Sequence, residues 1–262
     1  QANYSVAIGR TAGNLSQGQY AVAIGYQAAA NDQDNFAIAI GRNAAKLVQG
    51  SKAVSIGDYA GQTSQGGDCI AIGGCSGHLS QKPGAVAIGK LAGSTGQTNS
   101  AVAVGYGAAQ TGQGNSGVAI GYLAANTAQG AYATAVGREA GNAAQGSESV
   151  AVGYQSGKTS QATASVAIGR LAGSISQQTL CVAIGNRAGE SAQQGHSVAI
   201  GYQSGRYNQA SSSVAIGDNA GTNAQGTDSV AIGTTAGSVT QGYNGVAIGT
   251  TAGSNAQGIA AT

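Results

Sequence analysis

One glycine recurs every 16 residues along the whole chain. It stands at 9, 25, 41, 57, 73, 89, 105 and 121, then at 137, 153, 169, 185, 201, 217, 233 and 249, with no insertion or deletion. A fixed short period makes each unit a neighbour only of the units before and after it, so the chain stacks rather than collapsing into a globule. That overrides the one or two domains a 262-residue chain would otherwise suggest. The span 1–262 reads as a single repeat domain without separate caps.

With that Gly as position 0, the unit has a strict grammar. Position −1 is Ile or Val in all sixteen copies, and −3 is Val or Ile in all but one, where Thr134 stands. Position −2 is Ala except at Ser55; +3 is always Ala or Ser; +4 is Gly except at Ala29, Ala45, Ala109 and Ala125. Position +8 is Gln throughout: Gln17, Gln33, Gln49, Gln65, Gln81, Gln97, Gln113, Gln129, Gln145, Gln161, Gln177, Gln193, Gln209, Gln225, Gln241 and Gln257.

Val6, Ala7 and Ile8 alternate branched and small residues at period 2, a short β-strand. Gly9 ends it, and a second short extended segment runs through Leu15 and Gln17 before Gly18 turns the chain back. Two short strands and two turns in one period predict an all-β fold, a parallel β-solenoid of sixteen 16-residue coils. At about 4.8 Å per coil the stack predicts a rod of about 75–80 Å. Gly at this density argues against helix, and collagen is excluded because Gly does not fall at every third residue. Disorder is unlike a chain whose apolar residues are so regularly placed.

The simplest packing puts the Val/Ile face inside the coil. The opposite face, Ala at −2 with Ala, Ser, Gly or Cys at −4, then lies outside as a smooth strip that an identical chain covers. The Gln column predicts an amide ladder in which each side chain donates to the next coil. All 20 charged residues avoid positions −4 to 0, +3, +4 and +8.

Charged residues are 8% of the chain and the net charge is +2, which gives no footprint for nucleic acid. No run of 18 apolar residues is present to span a membrane. With no Met and a start and stop in mid-pattern, the sequence reads as a processed chain or a piece of a longer one, or as rods stacking end to end. Cys69, Cys75 and Cys181 make no disulfide framework; Cys69 and Cys181 substitute for small residues at −4.

No catalytic constellation, metal site or cofactor motif emerges, and the chain does not read as an enzyme. His78 and His196 sit on turns seven coils apart; carboxylates are scattered, and neither a phosphate loop nor the nonapeptide of calcium β-rolls is present. Asn3-Tyr4-Ser5 and Asn14-Leu15-Ser16 are formal glycosylation sequons. Position +1 is the one column with recognition chemistry: Arg10, Tyr26, Arg42, Lys90, Tyr106, Tyr122, Arg138, Tyr154, Arg170 and Tyr202 form a candidate surface-binding stripe. Stacking also brings Arg10, Tyr26 and Arg42, and Arg138, Tyr154 and Arg170, within cation–π range, so a purely structural role is the competing reading. An ice-binding solenoid would want a flat Thr array, and +6 carries Thr only at 63, 95, 111, 127 and 159.

Repeats such as Ser165-Val166-Ala167-Ile168-Gly169 and Ser197-Val198-Ala199-Ile200-Gly201, each followed by a small-Gly corner, resemble the YadA-like heads of trimeric autotransporter adhesins and related phage and viral fibre repeats. The resemblance covers essentially the whole chain. It implies a left-handed β-roll, a homotrimer, attachment to a host or matrix protein or glycan, and an extracellular, cell-surface or virion-surface location. The family's coiled-coil stalk and membrane anchor have no counterpart among these residues. A self-polymerising extracellular filament of identical chains is the alternative.

Overall fold

The computed structural model describes residues 2–261; Gln1 and Thr262, the ends of the expected 1–262 domain, lie outside the described residues. The fold is an all-β parallel solenoid. The chain divides into two compact units, Gln1–Tyr132 and Ala133–Thr262.

In the first unit the strands Val6–Ile8, Val22–Ile24, Ile38–Ile40, Val54–Ile56, Ile70–Ile72, Val86–Ile88, Val102–Val104 and Val118–Ile120 pair in parallel, in chain order. Each residue lies against its equivalent 16 positions on, as in Val6 with Val22 and Ile8 with Ile24. In the second unit Thr134–Val136, Val150–Val152, Val166–Ile168, Val182–Ile184, Val198–Ile200, Val214–Ile216, Val230–Ile232 and Val246–Ile248 do the same.

The second extended segment is less regular than expected. It forms paired strands at Thr63–Gln65, Leu79–Gln81, Thr95–Gln97, Thr111–Gln113 and Thr127–Gln129 in the first unit. In the second it does so at Ala143–Gln145 and Thr159–Gln161. Elsewhere single bridges such as Gln17 with Gln33 and Gln225 with Gln241 hold the register. Left-handed backbone at +7 lies inside these short strands, as at Ser64 and Ala144 with φ of 52° and 57°.

The expected sidedness of the main strand is overturned. Ala points inward and Val/Ile outward. Ala23, Ala39, Ala103, Ala167 and Ala199 are fully buried, as are the −4 residues Ala21, Ala53, Cys69 and Cys181. Ile120 is 40% exposed and Ile168 39%. The physical reason is volume. In the coil of Gly13, a Cβ added to that glycine would lie 2.9 Å from the Gln17 Oε1 and 3.3 Å from the Ala7 Cβ. The interior is one side chain deep and is already occupied by Gln. An Ala fits across from the glycine; a Val or Ile would overlap the opposite wall.

The interior is therefore a file of Ala, Gly and Gln, with clusters such as Ala167, Ala172, Ala183, Ala188 and Ala199. Serines at −4 enter it by satisfying their own hydroxyls: Ser213 Oγ donates to the Ala210 carbonyl at 2.6 Å and Ser229 Oγ to the Gly226 carbonyl at 2.6 Å. Gly at position 0 is obligatory. Gly169 has φ +124°, outside the range of L-residues, and an added Cβ would sit 2.6 Å from the Gly185 carbonyl oxygen.

Candidate functional site

Two surfaces of each coil carry chemistry, one inside and one outside. Inside, every Gln at +8 reaches across the coil to the main strand. Gln97, fully buried, donates through Nε2 to the Val86 carbonyl at 2.7 Å and the Ala101 carbonyl at 3.0 Å. The first bond ties the two walls of one coil together; the second reaches the next coil. The same amide also donates to the Gln113 Oε1 at 3.1 Å, and its own Oε1 accepts from Gln81 Nε2 at 3.0 Å.

In the first unit this chain of amides runs from Gln33 through Gln49, Gln65, Gln81, Gln97 and Gln113 to Gln129. In the second it runs from Gln145 through Gln161, Gln177, Gln193, Gln209, Gln225 and Gln241 to Gln257. All the amides point the same way, Nε2 toward the higher-numbered coil. Gln17 joins the walls of its own coil through the Val6 carbonyl at 2.8 Å, and its Oε1 and that of Gln33 are buried without a partner.

Outside, the whole +1 stripe is solvent-exposed: Arg10, Tyr26, Arg42, Lys90, Tyr106, Tyr122, Arg138, Tyr154, Arg170 and Tyr202. The Arg10 guanidinium lies 5.9 Å from the Tyr26 ring centre, and Arg138 and Arg170 flank the Tyr154 ring at 5.6 and 5.9 Å. Tyr106 and Tyr122 stack at 5.4 Å. Arg42 turns toward the next coil, where it pairs with Asp58 at 2.7 Å and lies 5.0 Å from the Tyr59 ring. That pairing holds the Asp58 carboxyl below the usual carboxylate range. Glu139 is likewise held low, by Lys158 at 2.8 Å and then by Gln155. Self-stacking along the turn thus occupies part of this stripe.

Two exposed features escaped the sequence reading. One is the Val/Ile face itself, misplaced because hydrophobic character was weighed above size. The other is a second aromatic stack, Tyr4, Tyr20 and Phe36 at position −5, with ring centres 5.2 and 5.3 Å apart. Its signal was present in the 16-residue spacing of three aromatics.

The cysteines are free; burial pushes the Cys69 thiol up and its Sγ lies 2.9 Å from the Lys82 carbonyl oxygen. His78 sits against the Gln62 Oε1 at 2.5 Å and its pKa is lowered by burial. Among the described residues there is no cavity, no cluster of three metal-ligating side chains and no helix long and apolar enough to cross a membrane.

The YadA head domain repeat family model matches residues 16–44, 209–236 and 224–252. No curated protein and no solved structure matches the chain. The matched stretches contain the Gly corner, the inward Ala and the Gln described above, and their coils are stacked in parallel like the rest. The sequence grammar and the parallel solenoid are consistent with that match, and at these stretches the chain is similar to YadA head repeats.

Proposed function

We propose that the chain is the structural and adhesive segment of an extracellular, cell-surface or virion-surface fibre, built from identical chains packed through their Val/Ile faces. The observation that carries this is the outward face itself. Positions −3 and −1 point away from the coil interior, yet they are Val or Ile in every coil apart from Thr134, and never charged. A face that stayed in water would accept Lys or Glu at no cost; a long uncharged apolar file is the mark of a covered surface. The strip expected to meet the partner was the Ala side of this strand. With the sidedness corrected, the partner surface moves to the Val/Ile side.

Proteins with YadA heads are trimeric adhesins, and a closed ring of three covers one apolar face per chain around a common axis. The +1 stripe lies at the edge of that face and supplies exposed Tyr and Arg for contact with a protein or glycan. The similarity to YadA head repeats and the repetitive solenoid support a mechanical and adhesive role.

Light scattering of the purified chain, with electron microscopy, tests the reading. A discrete trimer is expected, and Ile120→Lys with Ile168→Lys should yield a folded monomer. A wild-type monomer refutes the assembly. An open polymer would instead favour the filament reading. Replacing Tyr26, Tyr106, Tyr122, Tyr154 and Tyr202 by Ser should abolish surface or glycan binding while leaving the fold intact; unchanged binding removes the stripe from the proposal.

A further inference from the structure

Tyrosine meets tyrosine at two places in this chain. Of the eleven tyrosines, Tyr4 and Tyr20 stand 16 residues apart, as do Tyr106 and Tyr122, and no other two share that spacing. The repeat therefore sets these pairs against each other along a file, one coil apart. Their ring centres lie 5.2 and 5.4 Å apart, with the ring planes 6° and 13° from parallel.

The backbone holds both pairs in place. The Leu123 N–H donates to the Tyr106 carbonyl at 2.9 Å and the Tyr20 N–H to the Asn3 carbonyl at 3.3 Å. The rings themselves face water, with exposures of 78% and 50% in the first pair and 45% and 47% in the second. Each pair thus presents two solvent-open phenols at one coil spacing, about 4.8 Å, on side chains stiff enough to stay together.

Phe36 continues the first file 5.3 Å beyond Tyr20, but it carries no phenol. The other seven tyrosines have different residue types before and after them in their files. Tyr26 and Tyr154 lie beside arginines, at 5.9 Å from Arg10 and at 5.6 and 5.9 Å from Arg138 and Arg170.

We infer that Tyr4 with Tyr20, and Tyr106 with Tyr122, are modification sites: each pair is joined as dityrosine when a one-electron oxidant, a haem peroxidase with hydrogen peroxide, acts on the chain. Each phenol gives up one electron and its hydroxyl proton. The two phenoxyl radicals form a bond between carbons ortho to their oxygens. The hydrogens on those carbons move to the oxygens, which restores both aromatic phenols. The pair has lost two electrons and two protons, and these reduce one hydrogen peroxide to two waters. Stacking makes the coupling selective, because a radical meets the ring held beside it before one that must diffuse to it. The new bond closes a 16-residue loop between neighbouring coils and, unlike the amide ladder, persists on unfolding.

Peroxidase treatment of the folded full chain tests this, in a Cys75→Ser background that leaves only the buried Cys69 and Cys181. The dose is one that cross-links the urea-unfolded chain. Digestion and mass spectrometry should find two links, Tyr4–Tyr20 and Tyr106–Tyr122, each lighter by two hydrogens, in a product that runs as a single chain on a denaturing gel. Tyr20→Phe and Tyr122→Phe keep a stacked ring, and each should lose one link and retain the other. The unfolded chain should give scattered links that ignore the 16-residue spacing. No dityrosine in the folded chain, links formed as readily by Tyr26, Tyr154 or Tyr202, or covalent dimers in place of the two links overturn the inference.

Discussion

Replacing Gln97 by Ala is the sharpest probe of what holds the coils together. The side chain is fully buried and makes four amide contacts: to Val86, Ala101 and Gln113 as donor, and from Gln81 as acceptor. After truncation Gln81 Nε2 keeps the Ile70 and Ala85 carbonyls, at 2.9 and 3.0 Å. Gln113 Oε1 loses its donor and stays buried. An orphaned buried acceptor costs about 1–3 kcal/mol. The space vacated by the side chain adds a cavity cost, and large-to-small core changes run about 2–5 kcal/mol in all. We expect a destabilisation of about 3–5 kcal/mol, read by urea unfolding followed by far-UV circular dichroism. Hydrogen exchange localises the loss, because a repeat array opens in parts. The amides of Thr95–Gln97 and its neighbouring coils should exchange first. A change below about 1 kcal/mol would refute the view that this column is structural.

Gln97→Glu gives the same site a pH dependence. A carboxylate there is desolvated with no counter-ion, so its pKa rises in the folded state. The variant should therefore approach wild-type stability below about pH 4 and lose it as pH rises; equal destabilisation at both pH values contradicts a dry interior. Gly169→Ala should cost at least about 3 kcal/mol because its φ is +124° and the new Cβ meets the Gly185 carbonyl; normal thermal unfolding would show that the corner can move. Thiol labelling of the folded chain should modify Cys75 quickly and spare Cys69 and Cys181, which are buried. Three equal rates would argue against the packing. Glu139→Gln should lower the melting temperature slightly at neutral pH and not at all in acid, since a depressed carboxyl pKa stabilises only above the ordinary Glu value.

The fold was legible because the information is in the period. Sixteen in-phase copies leave stacking as the only arrangement in which Gln81 meets Gln97 and Ile70 meets Val86, and the register follows residue for residue. The direction of the side chains was not legible from hydropathy. Val and Ile signal burial in an ordinary strand, where the core can swell to hold them. In a coil closed by Gly93 against the Gln97 amide, there is no such room. The decisive signal on the main strand was size: its columns that never exceed Ala, Ser or Cys are the ones enclosed against the Gln file. The +1 stripe is exposed, and Arg42 turning to Asp58 could not be foreseen from a column-by-column reading.

The sameness of the buried columns has a consequence for folding fidelity. A segment displaced by one whole coil would meet the same Ala, the same Gly corner and the same amide, so the interior barely distinguishes a correct neighbour from the next one along. What does distinguish them lies on the surface, in singular pairs such as Arg42 with Asp58 and Glu190 with Arg206. The variable turns thus act as addresses for an interior that has none, and erasing them should slow refolding through slipped, compact states long before it lowers the melting point.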